Sequence, residues 1–412
     1  MKQKTIGILD AIIQTSIVGF AASLSVSIAF YHICLGLGGM AFLVKCAVSR
    51  KWLGRRTPLD PYFGLFFLAC LIATATSRKP LESLVGLKEF FLTTAVYLVA
   101  YNTDSYQRIR EIASAFLLTA GLSGLYGLLA VAAGLQVRLV GALGMAMTSG
   151  SVYMMASLLS LWYLGEAWPE PGLKKWLAAA ASLVITASLG LTKTVSSWLG
   201  WGLGLFFGAP LKRRLLSLTA LLAVASAVIF IYLSSATMGL DSSKNKTWQA
   251  RLTIWKIGWQ IIKEHPVTGV GLIDLGEIYQ SKRTAEDITL YGDHRRYGHL
   301  HNLFIHITAI TGFLGLAAFA AMFWAMIRLS LGNIRSGPAL AAPLSRALLA
   351  ATVAFMVNGL AEWSFGDSEV ISTLWFLTGL AVAAAHIGSN PAGEKTAPGK
   401  IPAPEKIPAG QA

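Results

Sequence analysis

The sequence predicts an all-α integral membrane protein of about twelve transmembrane helices, built around one large extracytoplasmic loop that contains short amphipathic helices. Three observations carry this. Hydrophobic residues make up 55% of the 412 and charged residues only 13%, where a soluble protein carries about a quarter charged; mean hydropathy is +0.59. Apolar runs of about 18–22 residues recur from end to end, each long enough to cross about 30 Å of hydrocarbon. Basic residues cluster in every second connection, as they do on the cytoplasmic side of multispanning proteins.

The predicted spans lie at about 9–29, 31–48, 60–76, 86–101, 113–134, 143–166, 176–192, 195–210, 215–235, 301–328, 346–363 and 368–388. The basic start, Met1-Lys2-Gln3-Lys4, precedes a long apolar run without a small-residue cleavage site. It is therefore predicted to be a first span and not a removable signal. With both termini cytoplasmic, the same side receives Arg50, Lys51, Arg55 and Arg56; Arg108 and Arg110; Lys174 and Lys175; Lys212, Arg213 and Arg214; and Arg328 and Arg335. The formal charge of +14 is thus a topology signal, and no nucleic-acid partner is expected. Cys34, Cys46 and Cys70 lie in or at the ends of spans without metal-ligand spacing, so neither a disulfide framework nor a zinc site is expected.

The organisation that follows is nine spans over 1–235, a loop over 236–300, three spans over 301–388, and a Pro-, Ala- and Lys-rich tail over 389–412 that is predicted to be disordered. A loop of this length is usually functional. From Arg251 to Lys263 it has helical periodicity, with Leu252, Trp255, Trp259 and Ile262 on one side and Lys256 and Lys263 at the margin. Such a helix suits the headgroup level of a bilayer. His265-Pro266 ends it, and Gly269-Val270-Gly271 follows as a turn.

His301-Asn302 marks the return to the membrane, followed by Gly312 and Gly315. On a continuous helix, Thr308, Gly312 and Gly315 would fall within about 40° of the His301 direction, placing this histidine at the mouth of a small-residue face. Held there it could act as a general base, or simply cap the helix. Arg251 reads equally as a diphosphate clamp or a headgroup anchor. Arg138 and Lys193, the latter among Thr192, Thr194, Ser196 and Ser197, sit in extracytoplasmic connections where cytoplasmic anchoring does not explain them. Glu362 and Asp367 face the same side and could pair with these cations. No Asp-x-Asp pair, phosphate loop or Cys/His cluster is present, so no metal or cofactor is expected.

His301-Asn302, nine residues, Gly312, two residues, Gly315 resembles the His-[Asn/Ser/Gln]-x9-Gly-x2-[Gly/Thr/Tyr] motif of the O-antigen ligases, within the O-antigen ligase and polymerase superfamily. Arg251-Leu252-Thr253-Ile254-Trp255 and the later Pro266-x-x-Gly269-x-Gly271 are similar to that family's loop motifs, with Trp255 standing where its pattern has Leu. The resemblance implies a metal-independent, lipid-carrier-dependent glycosyltransferase of the bacterial inner membrane, with its site facing the periplasm. Its donor would be a glycan on undecaprenyl diphosphate and its acceptor the terminal sugar of lipid A–core. It also implies His301 and Arg251 as catalytic residues, and Arg138, Lys193 (Arg in most of the family) and Arg251 as diphosphate ligands. Asn302, His299, Arg295 and Arg296 are further candidates for substrate contact. A polymerase using the same donor is the nearest alternative; a flippase for lipid-linked oligosaccharides is one of a different class. If cations and not a divalent metal carry the leaving group, chelation by EDTA should leave transfer unchanged.

Overall fold

The computed structural model describes residues 2–162, 172–210, 241–285, 287, 298–338 and 341–388. Among these residues the chain is helical throughout, with no strand. The order is α1 (Lys2–Ser23), α2 (Ile28–Ser49), α3 (Asp60–Ala75), α4 (Pro80–Gly86), a 3-10 segment (Leu87–Thr93), α5 (Thr94–Asn102), α6 (Tyr106–Ala132), a short 3-10 turn (Gly141–Leu143), α7 (Ala146–Trp162), α8 (Leu173–Leu191) and α9 (Val195–Gly208). Then come α10 (Asp241–Glu264), α11 (Gly276–Ser281), α12 (Leu303–Ser336), α13 (Ala341–Asn358) and α14 (Ser368–Gly388).

Seven of these segments are long and apolar enough to cross a membrane: α1, α2, the run from Pro80 to Asn102, α6, α12, α13 and α14. Shorter apolar helices occupy Asp60–Ala75, Ala146–Leu161 and Lys175–Leu191. Eleven of the twelve predicted spans overlap described helices, the sixth only as far as Trp162; the ninth, 215–235, lies outside the described residues, as does the tail 389–412. The stops and starts follow from local chemistry. Ser27 and Ser105 cap α2 and α6 by accepting from Phe30 N and Arg108 N, and Pro61 occupies the first turn of α3, where its missing N–H costs nothing.

Helix α14 is apolar all round and forms the centre of the bundle: 83% of its core window is buried, against 33% in α1 and α2, which face outward. Helices α9 and α13 approach backbone to backbone. A Cβ on Gly200 or Gly204 would stand 2.6 Å from Ala354 O or Ala350 O, the close contact that small residues permit.

The two ends of the bundle differ. One end is tied by Asp10–Lys45 (2.5 Å), Tyr106 Oη donating to Ala384 O (3.0 Å) and Arg346 to Gly208 O (3.4 Å). The other end gathers the loop. Ser77 Oγ donates to Val270 O (2.7 Å), Ser83 Oγ accepts from Leu272 N (2.8 Å), and Lys79 pairs with Glu277 (2.5 Å).

Two sequence expectations are corrected here. Helix α10 does carry an outward face, with Leu252 47% and Trp259 49% exposed, but Ile262 is buried. Its inner face is a second apolar stripe, Ile254, Ile257 and Ile261, packed with Leu300, Ala309 and Ile310. The periodicity that picked out the tryptophans missed this stripe because the helix is apolar on two sides. The span beginning at 301 is also not one continuous helix: Gly312 breaks α12 with φ 66 and ψ −174. The common-face relation of His301 to Gly312 and Gly315 therefore fails. At 1.5 Å per residue, an unbroken α12 would be about 51 Å long. The break leaves about 36 Å beyond it, closer to a hydrocarbon crossing.

Into the break fits the turn after Pro266. Val270 N and Gly271 N donate to Ala309 O and Ile310 O, while Phe313 N and Leu314 N donate to Pro266 O and Val267 O. The groups freed at the break are thus satisfied by the loop, as buried backbone requires. The turn expected at Gly269–Gly271 is a stitched one.

Candidate active site

The site is assembled at the end of the bundle that holds the loop. Asn302 caps α12: its Oδ1 accepts from Phe304 N and Ile305 N, both at 3.0 Å, and its Nδ2 donates to Leu360 O at 2.8 Å. Leu303 N donates to Gly359 O at 2.7 Å. These bonds lash the start of α12 to the turn leaving α13. They fix His301 in the left-handed region (φ 46), a conformation that costs a non-glycine residue of order 1 kcal/mol and persists only when neighbours over-determine it.

The consequence is a three-residue constellation. Glu362 Oε1 accepts from Arg251 Nη2 at 2.8 Å, while its Oε2 lies 3.8 Å from His301 Nδ1. The sequence offered Glu362 as a partner for the cations, but did not foresee that it would join arginine to histidine. His299 stands edge-on to His301, with ring centroids 4.4 Å apart. Burial first, then the neighbouring His301, pushes its pKa below the usual imidazole value, so it is neutral at physiological pH. His306 lies buried beneath, against Trp363 with ring centroids at 3.9 Å. Among the described residues no group of three or more His, Cys, Asp or Glu side chains could hold a metal ion.

His299, His301 and Glu362 open on a cavity of about 280 Å³, lined also by Met145, Met147, Thr148, Ser151 and the run Trp363–Glu369 without Phe365. Its floor is organised by Asn358, fully buried, which donates to Ser151 Oγ (2.8 Å) and Ser364 Oγ (2.9 Å) and accepts from Ser197 Oγ (3.3 Å). Nothing in the hydropathy pattern distinguished this asparagine from a terminal polar residue.

Arg138 and Lys193 are brought together beside the cavity by crossed contacts. Arg138 donates to Thr192 O (2.9 Å) and Thr194 Oγ1 (3.2 Å), and Lys193 Nζ donates to Val137 O (3.0 Å). Thr194 Oγ1 in turn donates to Ala146 O (3.2 Å), between the cavity residues Met145 and Met147. Among the described residues neither cation pairs with a carboxylate, unlike Arg251. Lys193 is itself left-handed (φ 53). Arg295 and Arg296 lie outside the described residues. Asn302 is committed to the backbone contacts given above, so it acts on the site by positioning His301.

Asp367 accepts from Thr148 Oγ1 at 2.6 Å. Burial, followed by the adjacent Glu369 carboxyl, pushes its pKa from 3.8 up to about 7. A carboxyl raised in this way binds more protons folded than unfolded, so its contribution to stability falls as pH rises from its ordinary value toward about 7. Asp367→Asn is expected to flatten the dependence of the thermal midpoint between about pH 5 and pH 8 and to exceed the parent at the alkaline end. A pH profile unchanged from the parent's would remove Asp367 as its cause.

Fold and site together define a multi-pass helical membrane protein whose polar residues converge on a histidine–carboxylate cavity at one end. Residues 176–320, about a third of the chain, match the model of a family described as O-antigen ligase, so this segment is similar to that family. The matched segment carries Lys193, Arg251, His299, His301, Asn302 and Gly312; Arg138, Glu362 and Asp367 lie beyond it. No curated protein matches the chain.

Proposed function

We propose that this protein is an O-antigen ligase. It would transfer a polysaccharide from undecaprenyl diphosphate to the terminal sugar of lipid A–core, on the periplasmic side of the bacterial inner membrane. The observation that carries the proposal is the joining of His301, Glu362 and Arg251 at one cavity, with two cations at its border, Arg138 and Lys193, that pair with no carboxylate among the described residues.

In this mechanism Glu362 faces His301 Nδ1, leaving Nε2 to take the proton from the acceptor hydroxyl. The freed oxygen attacks the anomeric carbon and forms the new glycosidic bond. The bond from that carbon to the diphosphate oxygen breaks, and the diphosphate departs with the electron pair. Arg138, Lys193 and Arg251 stabilise the charge that accumulates on it. An in-line displacement of this kind inverts the anomeric configuration. The twelve-span topology with both termini cytoplasmic is part of the same proposal and puts all of these residues on the exported side.

A strain lacking the gene provides the test, by lipopolysaccharide gel and parallel lipid extraction. Long polymer accumulating on undecaprenyl diphosphate, with none on lipid A–core, is the expected result. Core bearing a single repeat unit would instead identify a polymerase.

A further inference from the structure

We infer that the half of the cavity lined by Asp367, Glu369, Ser368, Thr148 and Trp363 is the subsite that receives the acceptor sugar. The inference rests on the glycosyl-transfer reading above and names the ligand of one part of that site.

The cavity and its border are divided by charge. On one side, behind the border, stand Arg138, bonded to Thr194, which in turn bonds to Ala146 beside the lining residues Met145 and Met147, and Lys193, bonded to Val137 O. On the other stand two carboxylates of the α13–α14 turn, Asp367 and Glu369, both lining the cavity. A diphosphate is attracted by the first group and repelled by the second to the extent that its carboxyls are ionised. A hydroxyl-rich pyranose suits the second: carboxylates accept from sugar hydroxyls through strong charge-assisted bonds, serine and threonine hydroxyls both donate and accept, and an indole offers an apolar face to ring C–H groups. His301 lines the same cavity, so a sugar held there presents a hydroxyl to the base.

The polar wall also continues inward. Tyr31 is fully buried, and its hydroxyl is hydrogen-bonded toward Ser368 and Ser372. Ser372 lies one helical turn below Ser368, and Tyr31 lies within electrostatic reach of both Glu369 and Asp367. Ser368, which lines the cavity, is thus the outer member of a row of hydroxyls that runs inward to Tyr31.

The test uses the purified full-length protein, a polyprenyl-diphosphate-linked glycan as donor and deacylated lipopolysaccharide core oligosaccharide as acceptor. Asp367→Asn and Glu369→Gln should each raise the acceptor KM about 10- to 100-fold, the loss of a hydrogen bond to a charged group, and leave the donor KM within about twofold. Thr148→Val keeps both carboxylates and removes only the bond that orients Asp367; it should raise the acceptor KM about threefold or more. It serves as the second variant if either of the first two fails to fold. A rise in donor KM with acceptor KM unchanged overturns the assignment and gives the subsite to the donor's first sugar. Unchanged constants for both substrates also overturn it. Absence of transfer by the parent protein, by contrast, sinks the glycosyl-transfer reading itself.

Discussion

His301→Ala is expected to abolish ligation, with a loss of at least about 100-fold in transfer rate, in protein that still inserts and elutes as the parent does. The size of the effect follows from the geometry. Asn302 and the Gly359 contact hold the residue in a conformation it would not choose, and Glu362 faces one ring nitrogen at 3.8 Å. No other described histidine can substitute. His299 meets His301 edge-on, and His306 is buried against Trp363. Lipopolysaccharide profiles of the complemented deletion strain, with membrane levels of the variant measured alongside, decide the matter. Near-normal ligation would remove the general-base role.

The second large effect is expected at a residue that touches no substrate. Gly312→Ala should destabilise the protein by at least about 2 kcal/mol, combining the strain of an L-residue at this backbone conformation with overpacking. A Cβ there would stand 2.1 Å from Val267 O and 2.5 Å from Thr268 N, both backbone atoms that cannot swing away. The turn would be forced out of the helix break. Since that turn follows the Arg251 helix directly and pairs with the segment that starts at His301, transfer should fall at least tenfold, a shift of about 1.4 kcal/mol in the barrier. Gly332→Ala, in the same helix with nothing within 4 Å of its Cβ, is the control and should change neither quantity. Thermal midpoints in detergent that agree between the two variants would refute the interlock.

Most of the helical layout was legible in the sequence, because a bilayer leaves few choices: an apolar run of sufficient length must be helical to satisfy its own backbone. Boundaries differed by several residues where the chain uses a cap or a turn instead of a polarity change, as at Ser23–Ser27 between α1 and α2. The candidate residues stood out too, since His301, Arg251, Arg138 and Lys193 all stand where hydropathy gives them no reason to be. Their relations were not. The link through Glu362 depends on a stitch between two turns about sixty residues apart in sequence, and no periodicity encodes it. The glycine spacing after His301 was visible, but its reason was read as helix packing. It is backbone pairing across a break, which a helical wheel cannot represent because the wheel assumes an unbroken helix.

The break at Gly312 has a bearing on how the enzyme meets its lipid surroundings. The nine residues from Leu303 to Thr311 are bonded sideways to the loop, and the loop in turn to Ser77, Ser83 and Lys79. The long part of α12 beyond Gly312 begins on the same turn, through Phe313 N and Leu314 N, and packs against α3 and α13. One turn therefore holds both the segment that starts at His301 and the rod beyond Gly312, so a change in the rod's tilt with bilayer thickness would be felt at the candidate site through that turn.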